Sequence, residues 1–207
     1  MPEIHTVNLE FTVHCNKRCP DCCAGVGINR ELKHHPWSYF KAAAKWLKGI
    51  PRIHLTGGEP TLHPKFAEFV PKLRKLFECE TLTMVTNGFL VAKYEDLIVD
   101  TFDWVNWSDY EDRRDALESL RRRMPVNVKH EGVNGALFMP RAAAGQGKPC
   151  TRAAWLSFGC AYADGKFWGC SVAPGLTDAV PFEPCEDWRA KLLAAPLPCS
   201  TCFLSEA

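Results

Sequence analysis

Over its first 130 residues this chain repeats one unit about five times: a short apolar strand, a polar loop, then a helix. Residues 7–13 alternate apolar and polar, as a half-buried strand does. Residues 53–55, 81–86, 104–107 and 126–129 read as further strands, with 136–138 as a candidate sixth. Between the first two, Trp37, Phe40, Ala44 and Leu47 fall on one helical face, after Pro36 and before Gly49. Phe66, Phe69, Val70, Leu73, Leu76 and Phe77 form a second stripe, and Pro71 inside it is expected to kink or restart that helix. Residues 91–99 read as a short helix and 111–123 as another, with Ala116, Leu117 and Leu120 inward. Such alternation predicts a parallel sheet, because parallel neighbours need long right-handed crossovers. Five or six strands are too few to close an eight-stranded barrel. The expected fold is therefore α/β: an open, partial TIM-type barrel of about five to six parallel strands.

In barrels of this kind the chemistry sits on loops after the strand C-termini, and the polar motifs here follow strands. Cys15, Cys19 and Cys22, spaced C-x3-C-x2-C, come directly after the first strand. Three thiolates on one loop can hold three irons of a [4Fe–4S] cube and leave the fourth open to a small molecule. The same spacing also suits half a zinc site. Thr56-Gly57-Gly58-Glu59-Pro60 follows the second strand, Thr86-Asn87-Gly88 the third, and Ser108-Asp109-Tyr110 the fourth. Glycines allow close backbone approach, and a carboxylate accepts bonds from an ammonium group. Each motif also has a plainer reading as a tight turn, and Asp109 one as a helix cap.

From about Arg141 the pattern changes. Residues 142–148 are Ala/Gly-rich and read as a linker, followed by six cysteines at 150, 160, 170, 185, 199 and 202. One helix is expected there, over 186–194. The expected division is a barrel over 1–140 and a small cysteine-rich extension over 141–207. Such a tail builds little core alone and is expected to need a staple.

Eleven cysteines in 207 residues raise the possibility of a secreted disulfide protein. The polar start, residues 1–9, has no apolar signal core, and the count is odd and includes adjacent Cys22 and Cys23. Clustering at the two ends suits metal ligation in a reducing, cytoplasmic setting. No apolar run reaches about 18 residues, so no membrane span is expected. A net charge of +1 gives no global attraction to nucleic acid, and Arg121-Arg122-Arg123 reads as a solvated helix end.

Taken together, Cys15/Cys19/Cys22 after strand one and Gly57-Gly58-Glu59-Pro60 after strand two resemble the radical S-adenosylmethionine (radical SAM) family. The resemblance implies an enzyme in which Cys15, Cys19 and Cys22 hold a [4Fe–4S] cluster whose open iron is chelated by S-adenosylmethionine. An electron from that cluster breaks the sulfonium C–S bond, and the 5′-deoxyadenosyl radical abstracts hydrogen from a substrate. It implies cofactor contacts at Gly57, Gly58, Glu59, Asn87, Ser108 and Asp109, and an external one-electron donor of flavodoxin or ferredoxin type. Lys129 is a further candidate for the methionine carboxylate, against its reading as a solvated lysine. Asp21 departs from the aromatic or large residue usual before the third cysteine, and Cys23 reads as a spare thiol.

Cys150, fourteen residues, Gly165, four residues and Cys170 resemble the opening of the SPASM and twitch domains, with Cys199 and Cys202 as a closing pair. That implies a second, auxiliary [4Fe–4S] cluster on Cys150, Cys170, Cys199 and Cys202; structural zinc is the alternative. Cys160 and Cys185 read as buried small apolar residues. An open barrel admits a bulky substrate, which favours modification or crosslinking of a peptide side chain, with any leader-recognition module on a separate chain. Dehydrogenation of a small alcohol or sugar is the rival. A non-enzymatic metal-binding or electron-transfer module would leave Gly57-Gly58-Glu59 unexplained. No nucleic-acid or membrane partner is expected.

Overall fold

The computed structural model describes residues 4–19, 22, 24–26, 30–110, 113–130, 160–169, 181 and 183–194. The strands are β1 (Thr6–Thr12), β2 (Arg52–Gly57), β3 (Thr81–Thr86), β4 (Trp104–Asp109), β5 (Val126–His130), β6 (Cys160–Ala163) and β7 (Lys166–Trp168). The helices are α1 (Trp37–Leu47), α2 (Phe66–Phe77), α3 (Glu95–Thr101), α4 (Arg114–Arg121) and α5 (Trp188–Ala194). They form one seven-stranded sheet in the order β5-β4-β3-β2-β1-β6-β7. All neighbours are parallel except the β6–β7 hairpin. The sheet ends at β5 and β7 and does not close, so the open partial barrel expected from the strand–helix alternation is what the chain forms.

The period-2 pattern of β1 decides which way it faces. Val7, Leu9 and Phe11 are fully buried against the helices, with Phe40, Ala43, Leu47, Phe66, Val70 and Leu73 in the same core. Leu55, Met84 and Val105 continue that layer on β2, β3 and β4. α1 stops at Lys48 because Gly49 takes φ +77, the left-handed conformation that ends helices. α2 runs unbroken through Pro71 over 12 residues, without the expected restart. Burial of Phe66, Phe69, Val70, Leu73 and Phe77 holds it together where the proline removes one backbone bond. Arg121, Arg122 and Arg123 are exposed, as expected, and Arg123 pairs with Glu95 and Asp96.

The tail differs from its sequence reading. The β6–β7 hairpin adds to the barrel's own sheet beside β1, pairing Val7 with Cys160 and Leu9 with Tyr162. Tyr162, Phe167 and Trp188 join the main core, and the Phe167 and Trp188 rings stack at 3.9 Å. Arg189 donates to the Lys48 carbonyl at 2.9 Å, capping an orphan acceptor at the end of α1. The described part of the tail thus shares the barrel's core. The expected strand at 136–138 and the linker at 142–148 lie outside the described residues.

Candidate active site

The C-terminal rim of β1–β4 gathers the motifs picked out from the sequence. The loop after β1 begins at Val13 and carries Cys15, Cys19 and Cys22, none in a disulfide and all half-buried. Two turns shape it: Cys22 N–H donates to the Cys19 carbonyl at 3.2 Å, and Gly25 N–H to the Cys22 carbonyl at 2.9 Å. Burial pushes the Cys15 thiol up to about 11, so a thiolate there needs a cation or strong donors beside it. The Lys17 N–H approaches its Sγ at 3.4 Å.

The glycines after β2 are required by backbone, not by open space. Gly58 N–H donates to the Thr12 carbonyl at 2.7 Å and Glu59 N–H to the His14 carbonyl at 2.8 Å. A Cβ on Gly57, at φ +111, would lie 2.3 Å from the Thr12 oxygen, and one on Gly58 would lie 2.1 Å from the His14 oxygen. The turn after β2 is therefore zipped onto the two residues that lead into Cys15. Any side chain there would push the cysteine loop away.

Glu59 is 1% exposed. Its Oε1 accepts from Thr61 N–H at 3.1 Å, Thr61 Oγ1 at 2.6 Å and Thr86 Oγ1 at 2.7 Å. Its Oε2 accepts from Asn87 N–H at 2.7 Å. Burial raises its pKa and the four donors oppose that, leaving a net upward shift. The carboxylate fastens the β2 turn to the β3 turn.

At the end of β3, Gly88 takes φ +82, and a Cβ on it would strike the Trp107 ring at 2.2 Å. Asn87 Oδ1 accepts from Phe89 N–H at 3.0 Å, while its Nδ2 reaches Asn16 Oδ1 at 2.9 Å and Cys15 Sγ at 3.7 Å. At the end of β4, Tyr110 Oη lies 3.0 Å from Cys19 Sγ, and the Lys17 ammonium sits 4.5 Å over its ring. Ser108 is half-buried and Asp109 8% exposed. Asp109 does not cap the next helix: α4 begins after Arg113, with no side-chain cap. Tyr110 was named in the sequence only as a strand end; its contact with Cys19 depends on how the rim loops fold toward each other.

A second polar cluster flanks the rim between β1 and β6. Arg30 pairs with both carboxylate oxygens of Glu10, and with Asp164 Oδ2 at 2.6 Å. Lys33 reaches Asp164 Oδ1 at 2.5 Å, and His35 Nε2 lies 2.7 Å from Glu10 Oε1. Among the described residues, Glu10, His35 and Asp164 are the one set of metal-ligand types gathered within 4.8 Å. Arg30 already supplies the cation there, so this is an ion-pair network.

Three cysteines on one loop are a soft donor set that suits zinc or an iron–sulfur cluster. Cys150, Cys170, Cys199 and Cys202 lie outside the described residues, as do Asp21 and Cys23 and the side chains of Lys129 and Cys160. Cys185 packs against the main core, as expected of a small apolar residue, and accepts from Lys191 Nζ at 3.3 Å. Among the described residues, no helix is long and apolar enough to cross a membrane.

Comparison with known proteins agrees with this geometry. Residues 9–108 match the family model of the radical SAM superfamily, which takes in β1 to β4 and both motif loops. A GTP 3′,8-cyclase of Petrotoga mobilis is 29% identical over 140 residues, covering 65% of this chain and 43% of that protein. The chain spans less than half the length of the curated relatives it matches first. Among solved structures, BtrN in complex with AdoMet and 2-DOIA superposes with a TM-score of 0.67 at 14% identity, covering 94% of this chain and 84% of that one. Streptococcus suis SuiB bound to precursor peptide SuiA gives 0.51 at 12% identity, covering 92% and 66%. With its cysteine loop, glycine turn and open barrel, the chain carries a radical SAM superfamily domain over residues 9–108.

Proposed function

We propose that the chain is a radical SAM enzyme acting on a small polar molecule. The observation that carries this is the rim itself: three cysteines on one loop, held by the Gly57-Gly58-Glu59 turn and touched by residues from β3 and β4. Cys15, Cys19 and Cys22 would hold a [4Fe–4S] cluster. When bound, that group supplies the electron that cleaves S-adenosylmethionine. Gly57 and Gly58, with Ser108 and Asp109 at the end of β4, are the proposed cofactor contacts. Asn87 and Glu59 act by shaping the loop that carries Cys15.

The open sheet favoured a peptide side chain as substrate. The sequence relatives are named for a reaction on GTP, which moves the preference to a small molecule of nucleotide or sugar class. A peptide side chain, which an open partial barrel would admit, is the second reading. A tail over 141–207 holding an auxiliary cluster on Cys150, Cys170, Cys199 and Cys202, and a flavodoxin- or ferredoxin-type donor in a reducing cytoplasm, complete the proposal. The test is anaerobic reconstitution followed by assay of 5′-deoxyadenosine, with GTP as the first substrate probe. Deoxyadenosine formation that a small polar molecule stimulates supports the reading. Stimulation only by peptides would favour the second.

A further inference from the structure

Two side chains from the ends of β3 and β4 reach the sulfur atoms of the cysteine loop. Asn87 comes from β3, and the roles of its two amide atoms follow from its partners. Its Oδ1 accepts the Phe89 N–H at 3.0 Å, so the NH2 group faces Asn16 Oδ1 and Cys15 Sγ. Its backbone N–H is tied to Glu59, which fixes where that side chain starts. Tyr110 follows β4 and places its hydroxyl 3.0 Å from Cys19 Sγ. The Lys17 ammonium over its ring, at 4.5 Å, holds the phenol against the loop by cation–π attraction.

A metal-bound cysteine has no proton to give. Toward such a sulfur, the Asn87 amide and the Tyr110 hydroxyl can act only as donors. Hydrogen bonds to the sulfurs are among the factors that set a cluster's reduction potential. Reduction adds negative charge to the cluster, so donors stabilise the reduced state more than the oxidised one and raise the potential. We propose that Asn87 and Tyr110 are positioning residues that hold Cys15 and Cys19 and raise the reduction potential of the cluster, easing electron entry. This rests on the reading of the triplet as a cluster site.

The test compares Tyr110→Phe, Asn87→Ala and the double variant with the reconstituted wild-type chain. The readouts are iron content and the potential of the EPR signal that responds to added S-adenosylmethionine. Tyr110→Phe removes one oxygen atom and keeps the ring. It should keep wild-type iron and shift the reduced-to-oxidised ratio at a fixed potential about tenfold toward oxidised, about 59 mV for one electron. Asn87→Ala should shift it the same way, and the double variant further. An unchanged potential in fully iron-loaded Tyr110→Phe overturns the proposal, and so does iron loss in that variant, which would make the hydroxyl structural. If Asn87→Ala fails to fold, Tyr110→Phe alone decides. A wild-type chain that takes up no iron overturns the proposed function itself, and this inference with it.

Discussion

The rim of β1–β4 and the C-terminal tail both carry cysteines, and they are held in opposite ways. At the rim the cysteines stand at the centre of a hydrogen-bonded frame. Thr12 and His14 carbonyls receive the Gly58 and Glu59 N–H groups, and Glu59 receives donors from both neighbouring turns. In the tail, the described residues dock on the barrel through backbone pairing, ring stacking and an ion pair. β6 pairs with β1, Phe167 stacks on Trp188, Tyr39 Oη donates to the Tyr162 carbonyl at 3.0 Å, and Arg30 ties Asp164 to Glu10. The difference separates two jobs a cysteine-rich segment can have. At the rim a backbone frame presents the cysteines; in the tail the described residues dock through core side chains.

Breaking the dock should have the largest effect. Arg30→Ala leaves Glu10, 4% exposed, and Asp164 without their shared cation. Removing one partner of a buried ion pair costs about 3–5 kcal/mol. Denaturant unfolding should show that loss, and limited proteolysis should cut first near 164. A loss below about 1 kcal/mol would mean that the sheet alone holds the hairpin.

Next is Glu59→Ala, which removes the acceptor of four donors at a buried position. With each of the four unsatisfied buried groups costing about 1 kcal/mol, the expected loss is roughly 4 kcal/mol, together with weaker iron retention. Had Glu59 served only the cofactor, binding would fall while iron and stability stayed. Calorimetry and iron analysis on one preparation separate the two outcomes.

The smallest effect is with pH. His63 Nδ1 accepts from Lys65 N–H at 3.0 Å, and Nε2 donates to the His35 carbonyl at 2.9 Å, which fixes a neutral ring. Burial chiefly, with the neighbouring His34 and His35, lowers its pKa to about 4 against the upward pull of the hydrogen bond to the His35 carbonyl. The unfolded chain gains this proton near pH 6.5 and the folded chain only near 4. Stability is therefore full above about 6.5 and falls as pH drops toward 4. His63→Gln should flatten that limb of the unfolding curve; an unaltered slope would locate the dependence elsewhere.

How much could be read from the sequence follows the same division. The strands came through clearly because β1 to β5 alternate or run apolar between strong turn residues, and the cysteine spacing with Gly57-Gly58-Glu59 marked the rim. What the glycines approach was not legible, because the partner carbonyls of Thr12 and His14 lie more than 40 residues away. Nor was the contact of Tyr110 with Cys19, 91 residues apart, since no periodicity links them. Proline at 71 signalled a break that tertiary packing overrode. In the tail, cysteine spacing drew attention from Tyr162, Phe167 and Trp188, whose apolar rings place the hairpin and α5.

The most direct test of the central claim is to compare the wild-type chain with Cys15→Ala/Cys19→Ala/Cys22→Ala, both reconstituted without oxygen and reduced. The wild type should form 5′-deoxyadenosine from S-adenosylmethionine. The triple variant should form none and bind about four fewer irons per chain. About four irons retained in the variant would belong to the proposed tail cluster. Absence of deoxyadenosine from a fully iron-loaded wild type, or zinc in place of iron at the triplet, would contradict the claim.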